Sequence, residues 1–254
     1  MRLIFLGAGS AFTVGNDNFH SNLLLEDNQK NRFLIDCGSD VRWSLDALGY
    51  THRDITDVFI SHMHADHAGG LEWLGFKTKF DPGVKSKPRL HVSDQLAGRL
   101  WNSVLCGGLQ SLETEVADLT TYFDVEAVDS RMTFQWQSVE FRLVPTEHVF
   151  NGDQWVPSFG LFFKVNDKHY FFTADMQFKP EKYLEYYTKA DVIFHECETT
   201  PFPSGVHCSF NQLLTLDPAI KAKMWLYHYN PGELPDAKSG GFQGFVKRGQ
   251  SFQL

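Results

Sequence analysis

The sequence predicts an α/β fold of two packed sheets with helices on their outer faces, on three observations. Short apolar runs of strand length recur through both halves of the chain, separated by Gly, Asn and Asp. Each series of runs gives way to a stretch with helical spacing, the order expected when helices cover sheets. No repeat, low-complexity segment or linker divides the 254 residues, so 1–254 reads as one domain. Material for a core is ample, with 43% hydrophobic residues, 23 Phe among them, against 21% charged.

The first group of strands is RLIFLG, SNLLLED, RFLIDCG and DVFISH. Between the third and fourth, SDVRWSLDALGY places Val41, Leu45 and Leu48 on one helical face. A basic, Pro-containing loop, KTKFDPGVKSKPR, leads to the strand LHVS. Residues 94–119 then read as helical with a break at Gly107–Gly108, and Leu96, Leu100, Val104 and Leu105 form a core stripe. Such a segment covers the sheet, or serves as a lid or dimer contact. Strands return from residue 122. MTFQWQSVEFRLVPTEH alternates, FGLFFKVND and KHYFFTAD pair around Asn166-Asp167, and ADVIFHE is another apolar run. A helix at about 210–222, the strand KMWLYHY and a Gly-rich tail follow.

Composition narrows the function classes. A net charge of −8 argues against an extended grip on nucleic acid, yet allows a small anionic ligand where bound cations reverse the local sign. Cys37, Cys106, Cys197 and Cys208 have no CxxC pair or regular spacing, as expected of reduced thiols in a cytoplasmic protein. MRLIFL opens like a signal peptide but meets Gly7 and polar TVGNDN too early for an apolar region and cleavage site, and no run has membrane-span length.

Chemistry concentrates in HMHADH, which places His62, His64, Asp66 and His67 within six positions after an apolar strand. In extended chain, residues two apart point the same way, so His62 and His64 can converge on one metal. Once the chain turns, Asp66 and His67 can face a second direction. A zinc site needs further ligands, and His148, Asp175 and His228 each stand at the end of an apolar strand. His20, His52, His91, His169 and His195 have no comparable setting and read as structural or solvent-facing.

The ordered set HMHADH, His148, Asp175 and His228 resembles the metallo-β-lactamase superfamily over nearly the whole chain. The resemblance implies an αββα sandwich of two mixed sheets. His62, His64 and His148 would bind one divalent ion, Asp66, His67 and His228 a second, and Asp175 would bridge both. FHECET and GVHCSF further resemble the paired segments of the ribonuclease Z branch, which also holds cyclic-nucleotide phosphodiesterases, the phage anti-Pycsar enzymes among them. By that resemblance Glu196 would orient His207 and His207 would protonate or stabilise the leaving oxygen as general acid; Asp66 could combine metal binding with accepting the nucleophile's proton. The imidazole-rich donors favour Zn2+, with Mn2+ or Fe2+ as alternatives.

Two departures favour a small phosphodiester, such as a cyclic nucleotide, over precursor tRNA. The loop after the first strand is AFTVGNDNFHSN rather than one bearing Pro, Lys and Arg, and no long Gly-Pro-rich arm is inserted. The rivals are a ribonuclease Z-type RNA endonuclease, a lactone or thioester hydrolase, and a non-catalytic metal-stabilised binding or sensing protein. A homodimer without membrane association is expected. GAGSAF at Gly7–Phe12 lacks the third Gly of a dinucleotide fingerprint and reads as a tight turn, with Asn16, Asn18, His20 and Ser21 beyond it as candidates to face substrate.

Overall fold

The computed structural model describes residues 1–15 and 17–254. Six strands open the first sheet: β1 (Arg2–Phe5), β2 (Leu23–Glu26), β3 (Arg32–Ile35), β4 (Asp57–Ile60), β5 (Arg89–Ser93) and β6 (Asp124–Val128). Seven build the second: β7 (Thr133–Trp136), β8 (Val139–Thr146), β9 (Ser158–Val165), β10 (Lys168–Phe172), β11 (Val192–Glu196), β12 (Met224–Tyr227) and β13 (Gly244–Phe245). Finally β14 (Ser251–Gln253) returns to pair antiparallel with β1 at the edge of the first sheet. Both sheets are mixed. β1 to β3 pair antiparallel and β3 to β6 parallel, while β7 to β10 pair antiparallel and β10 to β13 parallel.

The sheets face each other across an aromatic core, which accounts for the abundance of Phe. Phe33 of β3 stacks on Trp136 of β7 at 5.5 Å and meets Phe141 of β8 at 5.3 Å; Phe59 of β4 stacks on Phe134 of β7 at 6.0 Å. Backbone bonds tie the sheets together at one end, where Phe159 N–H donates to Ser61 O at 3.0 Å and His228 N–H to Ala8 O at 2.8 Å. Outside the second sheet, the helix Pro180–Lys189 buries Tyr183 and Tyr187 against Phe171 and Ile193. On the other outer face, the helices Val41–Asp46, Leu71–Phe80 and Asp94–Leu100 bury Val41, Leu45, Leu71, Leu74, Leu96 and Leu100.

Several element boundaries differ from the sequence expectation, each for a local reason. Lys77–Phe80, assigned above to a loop, finish the helix Leu71–Phe80; it stops at Asp81, where the following Pro82 disfavours helical backbone. Gly107–Gly108 do not break the helix, but the 94–119 segment is helical only to Leu109; residues 110–118 are bends and coil closed by a bridge between Ser111 and Val116. The helix runs on through a π-helical turn (Trp101–Leu105) into Cys106–Leu109, and Gly108 permits close packing, since a Cβ there would stand 2.1 Å from Glu72 Oε2. The 210–222 region is two short helices, Phe210–Leu213 and Pro218–Lys221, the second restarted by an Asp217 N-cap and Pro218 at its first turn. The Gly-rich tail supplies β13 and β14. All four cysteines are unpaired, and no helix among the described residues is long and apolar enough to cross a membrane.

Phe141 is buried among Phe33, Phe134 and Phe163. Phe141→Ala is expected to cost about 3–5 kcal/mol of stability, read as a lower urea midpoint with an unchanged m-value.

Candidate active site

Most of the candidate residues stand at or just beyond the C-terminal ends of strands, whereas Asp66 and His67 lie in the short helix Ala65–Ala68 and His207 in the loop before Phe210–Leu213. Ser61 and His62 follow β4, His148 follows β8, Asp175 follows β10, Glu196 closes β11 and His228 follows β12. Three backbone positions at these ends lie in the left-handed region: Asp36 after β3 (φ 63°), Ala174 before Asp175 (φ 51°) and His228 (φ 60°). Non-glycine residues held there store on the order of 1–3 kcal/mol each, and such strain clusters at functional sites. Each of these turns swings a polar group off its sheet toward the space between the sheets.

Two groups of donor atoms result. His62, His64, His148 and Asp175 form one, and Asp66, His67, Asp175 and His228 the other; within each, the donor atoms lie within 4.8 Å of one another. His62 Nε2 is 3.0 Å and His148 Nε2 3.3 Å from His64 Nδ1. Asp175 Oδ2 stands 3.6 Å from His62 Nε2, 3.3 Å from His67 Nε2 and 3.6 Å from His228 Nε2, and so belongs to both groups. Asp66 Oδ2 is 3.2 Å from both His67 Nε2 and His228 Nε2. His64 alone of the seven is exposed, which opens the cluster to solvent.

Hydrogen bonds around the clusters settle which ring nitrogens face inward. Asp36, fully buried, accepts from Ser61 N–H at 2.8 Å, from Ser61 Oγ–H at 2.8 Å and from His67 Nδ1–H at 2.7 Å. Ser61 spends its one hydroxyl proton on Asp36, so its oxygen accepts from His62 Nδ1–H at 3.0 Å. His148 donates Nδ1–H to Val206 O at 2.8 Å. The Nε2 lone pairs of His62, His67 and His148 are therefore turned into the clusters, as metal-ligating imidazoles require.

Electrostatics agree with a cation there. Burial keeps His62 and His148 below the ordinary imidazole range, His148 at about 4, so both are neutral donors. At His67 burial also opposes charge, but Asp66, Asp175 and Asp36 outweigh it and raise the ring well above that range. This pocket of carboxylates draws a proton where no stronger cation competes. His67 Nε2 and Asp175 Oδ1 are buried without hydrogen-bond partners. Inward lone pairs, orphaned donors and two shared carboxylates together fit divalent ions of the borderline, N/O-binding kind.

Next to the clusters, Glu196 is fully buried and accepts Cys208 N–H at 2.8 Å on Oε1. Its Oε2 faces His207 Nδ1 at 3.4 Å, an ion pair rather than an aligned hydrogen bond. Burial opposes protonation of His207, yet Glu196 and then Asp175 prevail and push it up to about 9. His207 stands just before the capping box of Ser209 and Gln212 that starts the helix Phe210–Leu213.

The structure thus brings together the seven candidate metal ligands, Glu196 and His207. The other five histidines lie outside both clusters. His20 and Asp40 stand 3.3 Å apart, His52 bonds Asp81, and His91 lies between Asp57 and Glu126. His195 bonds Tyr187, and His169 stands near Asp191. GAGSAF closes a turn with no helix after it. Of the loop candidates, Asn18 lines a cavity beside the site, Ser21 Oγ–H is spent on Gly9 O, and Asn16 lies outside the described residues. Sequence reasoning missed Asp36, Glu198 and Asn230. Glu198 accepts Ser204 N–H at 2.9 Å on Oε2 and pins the loop that carries His207. The only signal for these three was a polar residue ending an apolar strand.

The family model described as Anti-Pycsar protein Apyc1 matches residues 1–252. Anti-Pycsar protein Apyc1 of Paenibacillus harenae is 37% identical over 231 residues, 90% of this chain and 90% of its own. The metallo-beta-lactamase fold protein YhfI from Bacillus subtilis matches with a TM-score of 0.76 at 15% identity, over 99% of both chains. Human tRNase Z, short form, matches with a TM-score of 0.71 at 15% identity, over 100% of this chain and 99% of its own. The αββα arrangement is the metallo-β-lactamase fold, as the sequence resemblance implied.

Two outcomes follow from this geometry. Asp36→Ala, which releases the tautomers of His62 and His67, is expected to weaken divalent-metal affinity about 10–100-fold in a chelator competition, with the far-UV circular dichroism unchanged. In metal-stripped protein His207 is expected to stay protonated past pH 8, with Glu196→Gln lowering its apparent pKa, as an NMR titration would read. Because this folded-state value of about 9 exceeds the ordinary 6.5, the stabilisation it brings is complete below about pH 6.5 and lost as the pH rises through 9.

Proposed function

The chain belongs to the Anti-Pycsar protein Apyc1 family, and from that premise we propose that it is a metal-dependent phosphodiesterase with two divalent ions, acting on a cyclic nucleotide. The observation that carries this reading is the pairing of two donor clusters, joined through Asp175, with a buried Glu196–His207 acid beside them. His62, His64, His148 and Asp175 would hold one ion, and Asp66, His67, His228 and Asp175 the other. The imidazole-rich set favours zinc. When bound, such ions supply Lewis acidity near neutral pH and offset the negative charge of the phosphate.

The chain's own groups divide the remaining work. Burial resists ionisation of Asp66, but His67 and His228 overcome it and hold its carboxyl well below the usual range. Asp66 is thus ionised at neutral pH; so low a carboxyl is a weak base, and the case for it as acceptor of the nucleophile's proton is its position in the second cluster. His207, protonated at neutral pH, lines the same cavity and would protonate the departing sugar oxygen. Glu196, facing Nδ1, would keep the ring charged so that the proton delivered is the one on Nε2. Val206 O, by accepting from His148, couples the acid's loop to the first cluster.

A small substrate is preferred to RNA. The cavity over the clusters measures about 150 Å³, and a net charge of −8 gives little for a polyanion to follow.

The test is a metal-replete screen over cyclic mononucleotides, cyclic dinucleotides and precursor tRNA, with turnover expected on the first. His62→Ala and His64→Ala should lose both metal content, by elemental analysis, and turnover. His207→Ala should retain its metal and slow by about 10²–10⁴-fold. Full activity in His207→Ala would place the acid elsewhere. Turnover confined to lactones or thioesters would overturn the phosphodiesterase reading itself.

A further inference from the structure

The cavity over the donor clusters, at about 150 Å³, falls below the ~300–1,000 Å³ typical of small-molecule sites. Whatever part of a nucleotide reaches the clusters, the rest needs room elsewhere. A second cavity of about 620 Å³ lies directly alongside, and Asn230 lines both. We propose that this second cavity is the subsite for the heterocyclic base of the substrate, entered across Asn230 from the phosphate position. The inference rests on the phosphodiesterase reading above.

Asn230 is built for the divide. Its Oδ1 accepts Thr199 N–H at 2.9 Å and Thr200 N–H at 3.2 Å, and two backbone donors fix which end of the amide is oxygen. Its Nδ2 is left with no acceptor among the described residues, so it offers N–H groups to an acceptor on the sugar or base. Beyond it, Val14, Tyr229, Pro231 and Leu234 give the cavity apolar surface suited to a planar ring. Tyr229 is held in place by its hydroxyl, which donates to Val246 O at 3.0 Å.

Lys247 lines the same cavity and makes no ion pair among the described residues, which favours a base bearing carbonyl acceptors. Arg248 lines this space as well, but Asp17 offsets one of the two cations and most of the remaining wall is apolar or neutral, so a second phosphate fits less well than a base.

The experiment compares two esters with the same leaving group on metal-loaded protein: p-nitrophenyl thymidine 5′-phosphate, which carries a base, and methyl p-nitrophenyl phosphate, which does not. The wild type should favour the nucleoside ester in kcat/KM by at least about tenfold. Val14→Trp, which narrows the cavity from its exposed rim, and Lys247→Met should erase most of that preference through KM. Both should leave the methyl ester and the metal content unchanged. Equal effects on both esters, or none on either, would overturn the subsite. Thymidine binding by saturation-transfer NMR separates the two readings. If neither the esters nor the cyclic nucleotides turn over but thymidine binds the wild type and not Val14→Trp, the phosphodiesterase reading falls and the subsite stands. If the wild type shows no thymidine contact, the subsite falls.

Discussion

The carboxylate of Asp36 accepts hydrogen bonds from Ser61 and His67 together, and through Ser61 it also dictates the tautomer of His62. One buried acid thereby aims a lone pair into each donor cluster. Its own position depends on a left-handed turn at the end of β3 and on Gly38 two residues later, where a Cβ would stand 2.1 Å from Asp66 O. The backbone of the third strand is thus pressed against the segment that supplies four of the seven donors. Small errors in that contact would reach both clusters, since buried polar networks tolerate little slack.

Neither sheet holds the site alone. HMHADH leaves the first sheet, whereas His148, Asp175, Glu196 and His228 leave the second. The aromatic packing of Phe33, Phe59, Phe134 and Phe141 therefore does more than stabilise: it sets the gap across which Asp175 Oδ2 reaches His62 and His67. The two clusters also differ in character. The first is three imidazoles, two of them buried and neutral, and the second is rich in carboxylate, so the electrostatic demand for a cation is greatest around His67.

The donors were legible because they obey patterns: three His and an Asp within six positions, and later a lone His or Asp after an apolar strand. Glu196 and His207 were legible only through resemblance, since a strand-end acid and a helix-start His carry no signal individually. Asp36 ends a strand as Asp175 nearly does, yet its role arises from contacts with residues more than twenty positions away. Sequence shows no such pairing. The same limit explains the elements that were misplaced. β13 and β14 are two and three residues long and have no room for alternation, so only their partners define them. The helix continues through Gly107–Gly108 against the intrinsic preference of Gly, and Gly108 sits against Glu72 of a neighbouring helix, a contact no local pattern announces.

The left-handed backbone at Asp36, Ala174 and His228 has a consequence for how this site could change by descent. Two of these residues carry chemistry; Ala174 carries none, yet its conformation aims its neighbour Asp175. A β-branched residue there would be sterically penalised whatever its polarity, so the bridging carboxylate is protected by a position whose side chain is only a methyl group. Donor identity and backbone geometry are therefore inherited as linked traits. A lineage exploring new metals or substrates on this scaffold would find its freedom in the loops around the cavities, and almost none at the strand ends.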